Sequence, residues 1–149
     1  MDKQYYPVEI EEKWSKIWSE RVISNKDSDT SFSQVIPPPN VTGTLHMGHS
    51  FQYAIMDFYT RYNHMAGKDA HWQVGADHAG IATQMVVENN LAKKDITRHE
   101  LGREKFLDEV WSWKDYSEEK ITSQIKRLGC SVDWNKYRFT LDDGCNEAV

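Results

Sequence analysis

Two histidines three residues apart, His46 and His49, flank Gly48 and follow the loop Pro37-Pro38-Pro39-Asn40-Val41-Thr42-Gly43-Thr44. On the first turn of a helix this spacing puts both imidazoles on one face. From there they can donate hydrogen bonds to phosphate oxygens whose charge grows during a reaction, with no need to transfer a proton. Gly43 and Gly48 allow a bulky ligand close to the backbone. The unpaired N–H groups of a helix start and the positive end of its dipole favour an anion. An isolated pair of histidines reads more readily as solvated surface or as half of a metal site. Three prolines alone read as a rigid polyproline linker. The whole stretch, set before an apolar helix, favours a phosphate site.

The elements that would position this loop can be read from periodicity. Phe32 to Ile36 is short, apolar and bounded by turn-rich sequence and prolines, as a buried strand is. From about Leu45 to Met65 the pattern is helical, with His49, Gln52, Met56, Tyr59 and His64 around the cylinder and an end near Gly67. Ala70-His71-Trp72-Gln73-Val74 reads as a second strand, so the unit is strand, helix, strand, the signature of a parallel α/β sheet. In such sheets ligands bind outside the carboxyl ends of the strands, which is where the proline loop falls.

Upstream, Pro7 suits an early helical position, and Ile10, Trp14, Ile17 and Trp18 recur at helical spacing for about four turns. Ser24 to Ser33 shifts to Ser, Asp, Asn and Thr and reads as a loop and boundary. Downstream, Ile81 to Leu91 predicts a third helix. Thr97-Arg98-His99-Glu100 is a capping box opening a fourth, which runs towards Leu128 and stops at Gly129. Leu107, Val110, Trp111, Ile121, Ile125 and Leu128 give that helix an apolar face, and Trp111 and Trp113 read as core rather than as a base-stacking platform. Two strands are few for a doubly wound sheet, so the sheet reads as unfinished.

Pro39 to His49 resembles the HIGH signature of class I aminoacyl-tRNA synthetases in its valyl-type form, His46-Met47-Gly48-His49. Gly75-Ala76-Asp77-His78-Ala79-Gly80-Ile81-Ala82-Thr83-Gln84 resembles the valyl family's Gly-Thr-Asp-His-Ala-Gly-Ile-Ala-Thr-Gln, with Ala76 the one departure. Thr97 to Lys105, Trp111 to Lys114 and Ser131 to Trp134 are similar to the same family, and isoleucyl and leucyl relatives fit the second stretch less well. The resemblance implies the first half of a Rossmann-like parallel-sheet nucleotide-binding domain over residues 31–129, preceded by a helical arm and loop over 1–30. Residues 130–149 would begin the connection towards an editing insertion.

For the site, the resemblance implies that His46 and His49 contact ATP phosphates, with Thr44 nearby and Gly48 leaving room for adenine. Pro37, Pro38 and Asn40 would line a valine site, and Asp77 would pair with the ammonium. As an alternative or in addition, Asp77 could cap the helix that begins near Ala79. Ala76 removes a hydroxyl from this loop. The implied reaction is ATP-dependent valine adenylation and transfer to tRNA(Val), with Mg-ATP as substrate and tRNA contacted through regions outside this chain. The second signature of the family, Lys-Met-Ser-Lys-Ser, does not occur among the 149 residues, so the segment alone is expected to be inactive. A rival is a non-catalytic remnant or interaction module of the same fold. A remoter one is a metal protein using His46, His49, His71 and His78.

The composition agrees with a packed domain: 149 residues, 39% of them hydrophobic, with six Trp and seven Tyr. A net charge of −5 weighs against a stand-alone nucleic-acid-binding module. No stretch approaches the roughly 18 apolar residues of a membrane span, and the start carries no secretory pattern, so a cytoplasmic location is expected. Cys130 and Cys145 fit no zinc spacing and read as bystander thiols. His64, His71 and His78 recur every seven residues but fall on a helix, a strand and a loop, so the regularity carries no function. Oligomeric state is not legible.

Overall fold

A computed structural model describes residues 4–20 and 27–149 of the chain. Residues 21–26, which include the start of the expected boundary loop, lie outside the described residues. In order, the elements are α1 (Pro7–Glu20), β1 (Ser31–Val35), α2 (Met47–Met65), β2 (Asp69–Gln73), β3 (Gly75–Ala76), α3 (Ile81–Ala92), α4 (Arg98–Leu101), α5 (Arg103–Arg127), β4 (Arg138–Phe139) and α6 (Asp143–Ala148). The contacts divide the chain into two compact units. One comprises 1–37, 46–74 and 123–137, the other 38–45, 75–122 and 138–149.

In the first unit β1 and β2 pair in parallel, with Ser31 opposite Asp69 and Val35 opposite Gln73. This is the expected strand–helix–strand unit, each strand starting one residue earlier than its apolar run suggested. Beneath it Ile36, Tyr53, Trp72, Val74 and Ile125 are buried. The alternation of β2 supplies Ala70 and Trp72 to the inside. The buried Thr60 and Asn63 on α2 are matched, whereas the buried Tyr53 hydroxyl has no hydrogen-bond partner among the described residues. Gln34 donates through its amide to the Met56 carbonyl and the Thr60 hydroxyl, and Asn63 donates to the Tyr59 carbonyl. An ion pair on α2, Arg61 to Asp57 at 2.7 Å, pins the turn after α5. Arg61 donates to the Gly129 carbonyl and Asp57 accepts from the Ser131 N–H, both at 2.7 Å. Burial, and then the Asp57 charge, push the Cys130 thiol in this turn up to about 12. Both cysteines are unpaired, and Cys130 is a packed, inert thiol.

The second unit is built on a pair too short to have shown as strands in the sequence, β3 and β4, parallel with Gly75 opposite Arg138 and Ala76 opposite Phe139. Gly75 is obligatory here. A Cβ at that position would lie 2.5 Å from the Arg138 carbonyl oxygen. Val41, Ala76, Val87, Leu91, Ile121 and Phe139 form the core, and Val87 and Leu91 join buried Thr83 at four-residue steps along α3. The Thr97–Glu100 capping box forms as expected, but the helix it opens lasts four residues before Gly102, at φ 77°, interrupts it and α5 begins. The inward stripe of α5 includes Ile121 and Ile125 as expected but departs from the expected face elsewhere. Ser117, Ile121 and Ile125 are buried in four-residue steps, with Trp113 partly buried one turn earlier, whereas Leu107, Trp111 and Leu128 are exposed. Trp111 is therefore not core.

Candidate active site

In the first unit, His46 is the N-cap of α2, with extended backbone, and His49 is its third residue. Together they form a reciprocal cap made of imidazoles. The Gly48 N–H donates to His46 Nδ1 at 3.1 Å, and the His46 N–H donates to His49 Nδ1 at 3.2 Å. Two of the helix's orphan amides are thereby satisfied. A ring nitrogen that accepts a hydrogen bond carries no proton, so each neutral imidazole holds its proton on Nε2. Among the described residues no hydrogen bond occupies either Nε2–H. The ring centroids lie 4.0 Å apart. His49 is held below its ordinary 6.5, first by burial and then by the neighbouring His46. The result is a helix N-terminus with two N–H donors left outside the cap bonds. Its geometry suits a phosphate.

Gly48 belongs to the same arrangement: a Cβ there would sit 2.8 Å from the His46 ring, so a side chain would displace the capping imidazole. Behind the pair, His49 abuts Tyr53 at 6.0 Å between centroids, and Tyr53 meets Trp72 edge-on at 6.3 Å. Tyr53 is fully buried, and its hydroxyl is pushed up to about 12 by burial and then by Cys130. The pair thus rests on a rigid aromatic core. Pro37 is in this unit and exposed.

In the second unit, the stretch from Pro38 to Leu45 is held by backbone and by α5. The Asp77 N–H donates to the Pro39 carbonyl and the Val41 N–H to the Asp77 carbonyl, both at 2.9 Å, so Asn40 and Asp77 are bridged side by side. The Trp113 indole donates to the Val41 carbonyl at 3.0 Å and the buried Ser117 hydroxyl to the Gly43 carbonyl at 2.9 Å. Sequence reading placed Trp113 in the core and passed over Ser117. Their spacing of four was the available signal, yet nothing in it named the loop as the acceptor. Pro38, Asn40 and Thr44 are exposed, whereas Pro39 is buried.

Asp77 does not cap α3, whose N-cap is Gly80 with no side-chain bond. Its Oδ1 accepts from the Ala79 N–H at 3.0 Å and from the Thr140 hydroxyl at 3.0 Å, with His78 Nδ1 at 3.4 Å. The capping alternative thus becomes a turn-stabilising one, at the tight bend where Ala79 and Gly80 both take positive φ, 55° and 46°. Oδ2 has no hydrogen-bond partner among the described residues. Ala76 is fully buried and its carbonyl accepts from the Thr140 N–H at 3.1 Å. The hydroxyl next to Asp77 in this loop therefore comes from Thr140, a residue the sequence did not single out.

The described residues contain no group of three or more His, Cys, Asp and Glu side chains suited to a metal ion. His71 bonds to Gln73, His78 to Thr140, and the Nδ1 atoms of His46 and His49 are engaged in the cap. No helix is long and apolar enough to cross a membrane, among the described residues.

The family model for tRNA synthetases class I (I, L, M and V) matches residues 9–149. This chain belongs to the class I tRNA synthetases. The valine–tRNA ligase of Acinetobacter baylyi is 59% identical over 146 residues, covering 97% of the chain, and that of Francisella tularensis is 52% identical over 152 residues, covering all of it. The chain spans 15% and 16% of the length of these two curated relatives. Among solved structures, the ternary complex of Agrobacterium radiobacter K84 agnB2 LeuRS with tRNA and LeuAMS superposes with a TM-score of 0.73 at 19% identity. That match covers 95% of the chain and 17% of the larger one. At that identity the likeness speaks for the fold, the opening half of a class I synthetase's Rossmann-like domain.

Proposed function

We propose that this synthetase segment carries the phosphate-facing and amino-acid-facing residues of a cytoplasmic valine–tRNA ligase, a reaction that a polypeptide of the relatives' length would complete. The observation that carries the proposal is the imidazole cap. With Nδ1 of His46 and His49 turned into the helix start, the two Nε2–H donors are left for phosphate oxygens of ATP, which enters as its magnesium complex. In the reaction proposed, a valine carboxylate oxygen attacks the α-phosphorus of ATP, the bond to the bridging oxygen breaks, and pyrophosphate leaves. The valyl group then passes to tRNA(Val), whose binding lies with parts of the ligase beyond this segment. Charge on the phosphates rearranges during the first step, and fixed neutral donors at a helix N-terminus stabilise it without reorganising. Gly48 keeps the cap open beside the adenine and Thr44 stands just before it in the chain. Asp77 takes the ammonium, and Pro37, Pro38 and Asn40 line the valine side.

High identity to two valine–tRNA ligases over essentially the whole chain supports valine over isoleucine or leucine as the substrate. The test is His49→Ala in a full-length ligase carrying this sequence. Adenylate formation should slow by roughly 10²- to 10³-fold, the usual loss for one preorganised donor, while the KM for valine changes little. Equal losses in valine binding and rate would remove the phosphate role.

A further inference from the structure

We infer that Thr140 is a positioning residue for the Asp77 carboxylate, fixing Oδ1 so that Oδ2 is presented to the ammonium of the bound amino acid. This rests on the proposal that Asp77 pairs with that ammonium. Thr140 Oγ1 lies 3.0 Å from Asp77 Oδ1, 2.9 Å from the His78 N–H and 2.6 Å from His78 Nδ1. The hydroxyl has one proton and two lone pairs. An ionised carboxylate can only accept, so the proton goes to Asp77. The backbone N–H of His78 can only donate, which takes one lone pair. Nδ1 must then be the protonated ring nitrogen and donate to the other. Every valence of the hydroxyl is used, and the rotor is locked.

Asp77 Oδ1 in turn takes two donors from opposite sides in sequence, the Ala79 N–H two residues on and the Thr140 hydroxyl sixty-three residues on. Two bonds to one carboxylate oxygen fix the rotation of the group and leave the other oxygen for a ligand. Carboxylate–ammonium pairing is strong only when geometry is preset, because a free rotor must be ordered when the ligand arrives. The Thr140 main chain is held separately, its N–H donating to the Ala76 carbonyl, so the side chain can be altered while β4 keeps its seat.

The experiment uses a full-length ligase carrying this sequence and compares Thr140→Val, which keeps shape and loses the hydroxyl, with Thr140→Ser, which keeps the hydroxyl. Thr140→Ala stands in if the valine variant fails to fold, and Asp77→Asn is the reference. The valine KM is expected to rise roughly tenfold in Thr140→Val, the scale of a lost hydrogen bond to a charged group. The ATP KM and kcat should change little, because the ammonium contact is the same before and during the reaction. Thr140→Ser should restore the valine KM. The inference is overturned if Thr140→Val binds valine normally while Asp77→Asn does not. It is equally overturned if the hydroxyl-lacking variants shift ATP and valine constants together or serine gives no rescue, the pattern of a merely structural residue. If Asp77→Asn itself leaves valine unaffected, the ammonium reading fails and this inference fails with it.

Discussion

His49, proposed to face phosphate, has its proton affinity lowered by burial and by the neighbouring His46. The folded chain therefore takes up this proton less readily than the unfolded one, whose histidine titrates near 6.5. The associated stability is intact above 6.5 and is lost as pH falls from 6.5 through the lowered folded value. Below that value the loss stays constant. Protonation at Nδ1 would also break the bond from the His46 N–H, so the start of α2 should loosen in the same window. Amide exchange at His46 reads this directly: its protection relative to the intrinsic exchange rate should fall between pH 7 and pH 5 more than that of amides in central α2, and a uniform response would contradict it. At this scale His46, His49 and Asp77 drew the sequence reading because each sits in a stretch with its own local signal. Thr140 did not, because its bond to Asp77 spans sixty-three residues and an exposed threonine has no periodicity to betray it.

Among the elements, β1, α2, β2 and α3 were legible within a residue or two, since each is long enough to display a period. β3 and β4 are two residues each and display none. They exist because Gly75 admits the Arg138 carbonyl against its Cα. Gly75→Ala should therefore cost about 1–3 kcal/mol, the usual range for overpacking a tight contact, measured as a lowered unfolding midpoint in denaturant with an unchanged slope. An unaffected midpoint would mean the pair separates freely. The departure of α5 from its expected face at Leu107, Trp111 and Leu128 has a physical reason as well. Apolar residues were taken as inward markers, but Ser117 goes inside to donate to Gly43, and Trp113 turns its indole N–H to Val41. Hydrogen-bond demand from an adjoining loop outweighed hydropathy, leaving Trp111 outside at 45% exposure.

For the molecule as a whole, the two curated relatives are several times longer than this chain. Met47, Phe51, Ile55, Phe58, Tyr62 and Met65 form one exposed stripe along all of α2, with Met65 89% exposed. A stripe of this length seldom stays in water on a monomer. The 149-residue chain by itself should associate as its concentration rises, read as an increase in mean mass by sedimentation, and a strict monomer at all concentrations would contradict this. The same chain should show no valine-dependent exchange of pyrophosphate into ATP, having one of the two phosphate signatures. On the proposed reading the segment holds valine by its ammonium at Asp77, and Asp77→Asn in a full-length ligase tests that reading most directly. Activation of valine, isoleucine and threonine is measured for both proteins under one set of conditions, with folding checked separately. Losing the charge partner of a buried ammonium costs about 2–5 kcal/mol, so all three amino acids should weaken together by roughly 30-fold or more, with their ratios nearly unchanged. Normal valine activation by Asp77→Asn would show that the carboxylate serves only the turn at Ala79, and would contradict the account.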